Sequence, residues 1–561
     1  MRKLFILAVS LAILGAAAGF VKTSVKGAGP SAALSGIVSS QDEGPMEGVI
    51  VTAKRAGSTI AVSVVSDKSG KYSFPADRLA SGEYNLAIRA SGYAQPDVRT
   101  VTVDPAKAKE LNLKLAKVQD LLPQITWGDF LNSVPGTQEQ KDALYNCVGC
   151  HAPTPVMQST YDAEGFVTTI VRMHNWAPSS SLSNPQLLPY RTKQGPRDAD
   201  LAKFLSTLNM GGGRTKLEYT FKTLPRPKGK ATAVIYTEYD LPRPGAEPHD
   251  AIVDAQGMIW YDDFGQPVLG RLNPKTGETK EWPLPMIKQG VPQGSLCLAL
   301  DKEGNVWIAR PFSAGIVKFD PKTEKTEYWN EPPEFNNEES RTTFLAISPD
   351  GSTWFDDTHN MRLNQVRPGS DKVTGFPTYP GMNLTYTGSG ARGPAPRGHS
   401  MYGIAVDSHG TPYWADIAGG NLGELNPETG KTTLYPPPTP NSGIRRMHID
   451  WEDKVWFGES YAERIGMFDT KSKTFKEWVD PTAWDAPYDA VRDKSDHVWT
   501  GSWSTDLATR LDIKTGEIVQ YLLPTFDTNI RRVEVINTTN PPSFLIGENH
   551  HGKIAIVQPL E

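Results

Sequence analysis

An internal repeat is the strongest constraint this sequence places on its fold. In the C-terminal part an Asp or Ser, a tight turn and then a strand with an aromatic residue recur at Trp260, Trp307, Trp354, Trp414, Trp456 and Trp499, with Leu545 in the last copy. Successive gaps are 47, 47, 60, 42, 43 and 46 residues. A second turn follows, as in Asn273-Pro274-Lys275-Thr276-Gly277 and Asn426-Pro427-Glu428-Thr429-Gly430, and then a strand that ends in proline, as at Trp282-Pro283. Each copy therefore predicts a four-stranded antiparallel meander, and units of this length stack radially into a propeller. The seventh copy lacks an outer strand, whereas residues 234–242 read as an outer strand without a blade, so the two are expected to complete one sheet. Residues 232–561 thus predict a seven-bladed β-propeller with its repeat tryptophans packed between strands.

A chain of 561 residues exceeds one core, and the part before the propeller divides in two. Residues 33–116 hold short β-rich runs separated by turn residues, such as Asp67-Lys68-Ser69-Gly70 before Lys71-Tyr72-Ser73-Phe74, a pattern expected of a small antiparallel sandwich. Residues 120–215 change to helical periodicity over 137–146, 163–173 and 198–208, the last stopping at Gly211-Gly212-Gly213. The expected fold class is multidomain and mainly β: a β-sandwich, a small all-α domain and a propeller. Ser35-Gly36-Ile37-Val38, the run from Asp67 to Phe74, and Ser81-Gly82-Glu83-Tyr84 with Ala90-Ser91-Gly92-Tyr93 resemble the carboxypeptidase regulatory-like (transthyretin-like) domain. That resemblance implies a non-catalytic module.

The helical part contains Cys147-Val148-Gly149-Cys150-His151. Two thiols one helical turn apart can form thioethers with haem vinyl groups, and the adjacent imidazole can bind the iron. No second Cys/His pair is present to complete tetrahedral zinc. One covalent haem c is therefore the expected cofactor. From this motif to the terminal 198–209 helix, the segment resembles a class I type cytochrome c domain. In that pattern a methionine precedes the final helix, but Leu187-Leu188-Pro189-Tyr190-Arg191-Thr192-Lys193 has none. Met173 is the first choice for the sixth ligand, with His174 and Met157 as alternatives.

In a propeller, the loops entering each inner strand and those joining the second and third strands share one face. Those repeat positions hold His249, Tyr402, Arg445, Tyr488 and Arg531, and Asp262, Arg310, Glu459 and Glu548, so they are expected around the channel mouth. Pro248-His249-Asp250-Ala251-Ile252, Val455-Trp456-Phe457-Gly458-Glu459 and Glu463-Arg464-Ile465-Gly466 resemble the blade motif of the streptogramin (virginiamycin) B lyase family. The resemblance implies that His249 would act as general base and that Glu459, with Glu548 as a weaker match, would hold a magnesium ion; calcium is the alternative metal. Most other blades depart from that pattern.

Arg2-Lys3, the apolar stretch from Leu4 to Leu14, and Ala16-Ala17-Ala18 have the order of a secretory signal spanning 1–18, which implies a periplasmic or otherwise exported protein. Membrane attachment is expected only if that signal stays uncleaved. With 58 Lys and Arg against 63 Asp and Glu and no long charge run, nucleic acid is disfavoured as a partner. Cys297, in Leu296-Cys297-Leu298-Ala299-Leu300, reads as a buried small hydrophobe. Gly388-Ser389-Gly390-Ala391-Arg392-Gly393 matches a dinucleotide fingerprint, but prolines follow it where a helix is required, so it reads as a loop. Three functions follow: electron transfer between the haem and a redox partner protein or small-molecule substrate; metal-dependent elimination or lactone hydrolysis at the propeller; and non-catalytic binding.

Overall fold

The computed structural model describes residues 32–561 except 98, 181–183, 189–193, 215, 334, 337–339, 359 and 380–398. The signal at 1–18 and the glycine-rich run at 388–393 lie outside the described residues. Among those described, no helix is long and apolar enough to cross a membrane.

The repeat folds as its periodicity predicts. The first copy is the meander Ala251–Val253, Ile259–Asp262, Val268–Leu272 and Thr279–Pro283, and five more four-stranded sheets begin at Cys297, Leu345, Met401, Ile444 and Val491. The seventh sheet holds Ile530–Ile536, Ser543–Glu548 and Lys553–Pro559, and Val234–Asp240 completes it from Val234 opposite Pro559 to Asp240 opposite Lys553. The result is a propeller-like fold closed by strands distant in sequence.

The repeat residues also explain why the blades are alike. In four blades the indole Nε1 donates to an aspartate six residues earlier: Trp260 to Asp254, Trp307 to Asp301 and Trp456 to Asp450 at 2.9 Å, and Trp499 to Asp493 at 2.8 Å. Each of these carboxylates also accepts backbone N–H groups of its own turn, such as Asn305 onto Asp301 at 2.8 Å. This bond corrects the expected register of the fourth blade. There the Tyr413 hydroxyl, not Trp414, reaches the turn aspartate Asp407, at 3.4 Å, and Trp414 is one position further along, on the opposite face of its strand.

The N-terminal module packs two sheets over a core that includes Val38, Tyr72, Phe74 and Leu86. It is not wholly antiparallel, because Ala32–Ser40 runs parallel to Leu113–Lys117. Its second sheet continues into the propeller. Ile60–Val65 pairs antiparallel with Val234–Asp240, from Ile235 opposite Val64 to Tyr239 opposite Ile60, giving one eight-stranded sheet. Arg89 adds a buried ion pair to Asp506 at 2.9 Å and lies over the Phe526 ring.

The expected helices are present as Gln138–Leu144, Ala163–His174 and Asp198–Leu208. Two more, Trp127–Ser133 and Thr154–Gln158, were not expected. Trp127–Ser133 begins with a reciprocal cap in which Thr126 and Asp129 satisfy each other's backbone N–H groups. Packing runs past the expected boundary at 215: Leu217, Tyr219 and Phe221 join the helical core, and Asp129 Oδ1 accepts the Leu224 N–H at 2.7 Å. Tyr488 and Trp503 of the propeller belong to that same core, so the helices sit directly on the propeller.

Candidate functional site

The short turn Tyr145–Gly149 presents Cys147, and Cys150 and His151 follow it. Trp127 Nε1 donates to the His151 carbonyl oxygen. His151 Nδ1 lies 2.6 Å from the Ala152 carbonyl oxygen, so the ring takes the Nδ1–H tautomer and its Nε2 keeps a free lone pair. The propeller grips the same turn. Arg531 Nη2 donates to the Gly149 carbonyl at 2.8 Å, Asn529 Nδ2 to Val148 at 3.3 Å, and the Tyr145 hydroxyl to the Ser460 carbonyl at 3.1 Å.

Between helices and propeller lies a cavity of about 1030 Å³, lined by Cys147, Cys150, His151, Met173 and His174. Its volume is at the upper end of the ~300–1,000 Å³ usual for cofactor and ligand pockets. Both thiols are unbridged. Burial pushes the Cys147 thiol up to about 12 and raises Cys150 too, so both are protonated at neutral pH. Cys150 is exposed by area because it borders the void, although protein surrounds it on most sides. Met173 is 41% exposed on the helix Ala163–His174, and His174 Nε2 stands 3.6 Å from Asp198. Met157 is fully buried in the helical core and does not line the cavity. The donor set fits a covalent haem: two free thiols, an imidazole with Nε2 available, and Met173 or His174 open on one void with apolar walls such as Phe166, Ile170 and Leu205.

The propeller wall is shaped by β-bulges. Pairing shifts between Ile444 and Met447, between Ile530 and Val533, and between Tyr402 and Ile404. A bulge re-aims consecutive side chains. Arg445 and Arg531 line the cavity, while their neighbours Arg446 and Arg532 reach inward to Asp250. Gly403, at φ 75°, belongs to the third bulge; a Cβ there would meet the Arg445 carbonyl oxygen at 2.5 Å.

Below this wall the channel is filled. Asp250 accepts Arg446 through two bonds of 2.6 and 2.7 Å, Arg532 at 3.1 Å and the Leu298 N–H at 2.9 Å. His249 Nδ1 stands 2.9 Å from Asp250, and its Nε2 is 3.4 Å from the Tyr488 hydroxyl, which in turn bonds Tyr402. Burial holds the His249 pKa down to about 4 against the pull of Asp250, so the ring is neutral. Cys297 is buried as expected, its thiol pushed up to about 12 by burial.

The residues expected at the mouth therefore separate. Tyr402, Arg445 and Arg531 line the cavity; Asp262, Arg310, Tyr488, His249, Glu459 and Glu548 do not. Asp262 accepts the Asp250 N–H at 2.7 Å, and Arg310 clamps the carbonyls of Pro285 and Gln293 at 3.0 and 2.6 Å. Glu459 is buried against Ser442 at 2.9 Å, and burial, reinforced by Glu477, raises it to about 7. Glu548 is buried beside Glu238, which together with burial raises it well above the carboxylate range. Among the described residues no three His, Cys, Asp or Glu side chains form a group that could hold a metal ion. Arg341, Trp503 and Tyr461, which also line the cavity, were not among the expected site residues.

The carboxypeptidase regulatory-like domain model matches residues 33–116. No curated protein matches the chain. Similar solved structures include the virginiamycin B lyase of Staphylococcus aureus, at 19% identity and TM-score 0.48 over 58% of this chain and 98% of that one. A streptogramin B lyase aligns at 18% identity and TM-score 0.49, over 58% and 97%. YCF48 bound to D1 peptide aligns at 11% identity and TM-score 0.43, over 57% and 94%.

Proposed function

We propose that this chain is an exported c-type cytochrome whose haem, attached through Cys147 and Cys150 and ligated by His151 and Met173, exchanges electrons with a redox partner protein or a small molecule at the propeller face. The observation that carries this reading is the single cavity onto which both thiols, the imidazole and Met173 open. A haem bound there supplies a one-electron couple. The bond between His151 Nδ1 and the Ala152 carbonyl orients the imidazole and makes Nε2 a stronger donor. Phe166, Ile170 and Leu205 keep water off the cavity wall, and the contacts of Arg531 and Asn529 with the motif backbone fix the motif against the propeller. Export is consistent with the signal-like residues 1–18, and a membrane association would require that segment to be retained.

The test is a reduced-minus-oxidised visible spectrum of protein expressed with haem-maturation machinery, followed by a redox titration. The expected result is a covalent c-type spectrum, lost in Cys147→Ala, with a positive potential that Met173→His lowers. Absence of covalent haem would overturn this reading and leave a propeller lyase or a non-catalytic binding protein; turnover that depends on added magnesium and not on haem would favour the lyase.

A further inference from the structure

We infer that the propeller wall of the cavity is a carboxylate-binding subsite built on Arg445, with Arg531 and Trp503 beside it. This deepens the cytochrome reading but does not depend on which group brings the carboxylate, a haem propionate or a free small organic acid.

Arg445 is only 7% exposed, lines the cavity, and its Nε has no hydrogen-bond partner among the described residues. Three aromatic rings surround its guanidinium, Trp503 at 4.0 Å, Tyr488 at 4.1 Å and Tyr402 at 5.2 Å. Rings soften the loss of water through cation–π attraction but bring no negative charge. Burial raises the Tyr488 phenol far above its ordinary value, so it stays neutral. The next residue supplies the contrast: Arg446 has the paired oxygens of Asp250. A buried guanidinium is expensive without an anion, and planar carboxylates match its fork.

Two independent features point the same way. Trp503 Nε1, also on this wall, is a buried donor without a partner among the described residues. The propeller contributes Arg341, Arg445 and Arg531 to the lining, and no carboxylate. A carboxylate entering the void would therefore meet the cationic groups of this wall, because the carboxylates that line the cavity, Glu139, Asp142 and Asp198, stand on the helices; Arg531 is already anchored to Asn529 and Gly149.

The experiment compares wild type, Arg445→Gln and Trp503→Phe in two arms, a pH-resolved redox titration and calorimetric titration with succinate. If a propionate is the ligand, haem-loaded wild type takes up no succinate, and Arg445→Gln lowers the potential and moves its pH dependence to higher pH, since an acid without its cation has a raised pKa. If a free acid is the ligand, succinate binds wild type and Arg445→Gln weakens it at least tenfold. Trp503→Phe shifts the same readout in the same direction by less, and decides between the outcomes if Arg445→Gln does not fold. Potential, pH dependence and succinate response all unchanged in the folded variants would overturn the inference. Failure of the cytochrome reading is seen separately, as absence of covalent haem, and the succinate arm then decides on the haem-free protein.

Discussion

Two layers of the propeller axis hold the same kinds of residue and treat them in opposite ways. In the inner layer Arg446 and Arg532 converge on Asp250, and His448 and Arg446 converge on Asp489 at 3.0 and 3.5 Å. One step toward the helices, Arg445 faces a void with aromatic rings against its guanidinium and, among the described residues, no carboxylate paired to it; Glu139, Asp142 and Asp198 line that void from the helices. These neighbouring arginines sit where the pairing of their strands shifts, and they take opposite surroundings. Charge at a propeller axis is thus not itself a sign of a site. Compensated charge is scaffold, whereas uncompensated charge beside a cavity marks where a ligand belongs.

The sharpest way to break this contrast is Asp250→Ala. It leaves two buried guanidinium groups without their shared anion, and a loss of about 3–5 kcal/mol in denaturant unfolding is expected. A loss below about 1 kcal/mol would remove the distinction between the layers.

Glu459→Gln tests whether a residue of the lyase-like motif is scaffold. Its folded value of about 7 lies above the ordinary 4.5, so the folded state favours the protonated form, and its contribution is fully present below about 4.5 and lost as pH rises through 7. The glutamine variant should therefore be more stable than wild type at pH 8, by up to about 3 kcal/mol, and equal to it at pH 4. A glutamine variant less stable than wild type at pH 8, with magnesium stabilising wild type and not the variant, would make Glu459 a metal ligand.

Asp301→Ala removes a turn carboxylate that ties down the Trp307 strand of the second blade. The indole N–H of Trp307 and the N–H groups of Asn305 lose their acceptor, and a decrease of about 1–2 kcal/mol is expected in thermal or urea unfolding. Burial raises the Asp301 pKa, but these hydrogen bonds outweigh it and the net shift is downward. The wild-type advantage is therefore present at neutral pH and lost on acidification through the lowered value. An effect as large as that of Asp250→Ala would mean that the turns, not the axial ion pairs, hold the ring together.

Much of this architecture is legible in the sequence because it is local. Turn aspartates and tryptophans six residues apart specify four of the blades, and the unexpected helix Trp127–Ser133 carries a readable cap in Thr126 and Asp129. The repeat places the fourth blade one residue off because Tyr413 and Trp414 are adjacent aromatics, and only the bond to Asp407 distinguishes them. For the site, the motif at Cys147 to His151 is visible, and repeat position leads to Tyr402, Arg445 and Arg531. The same positions also give Asp262, Arg310 and Tyr488, which take other partners. Repeat position fixes where a Cα lies; a bulge decides where its side chain goes. Arg531 reaching Gly149 across 382 residues leaves no trace in the sequence near either.

The sheet shared by the N-terminal module and the seventh blade fixes distance as well as fold. A module hung on a flexible tether samples a volume, and whatever it captures is delivered at an effective concentration set by tether length. Here the strand Val234–Asp240 is hydrogen-bonded on both sides, to Lys553–Pro559 and to Ile60–Val65, so the module cannot swing without tearing a ladder. A group bound to the module would be held at a set angle and reach from the Cys147 cavity.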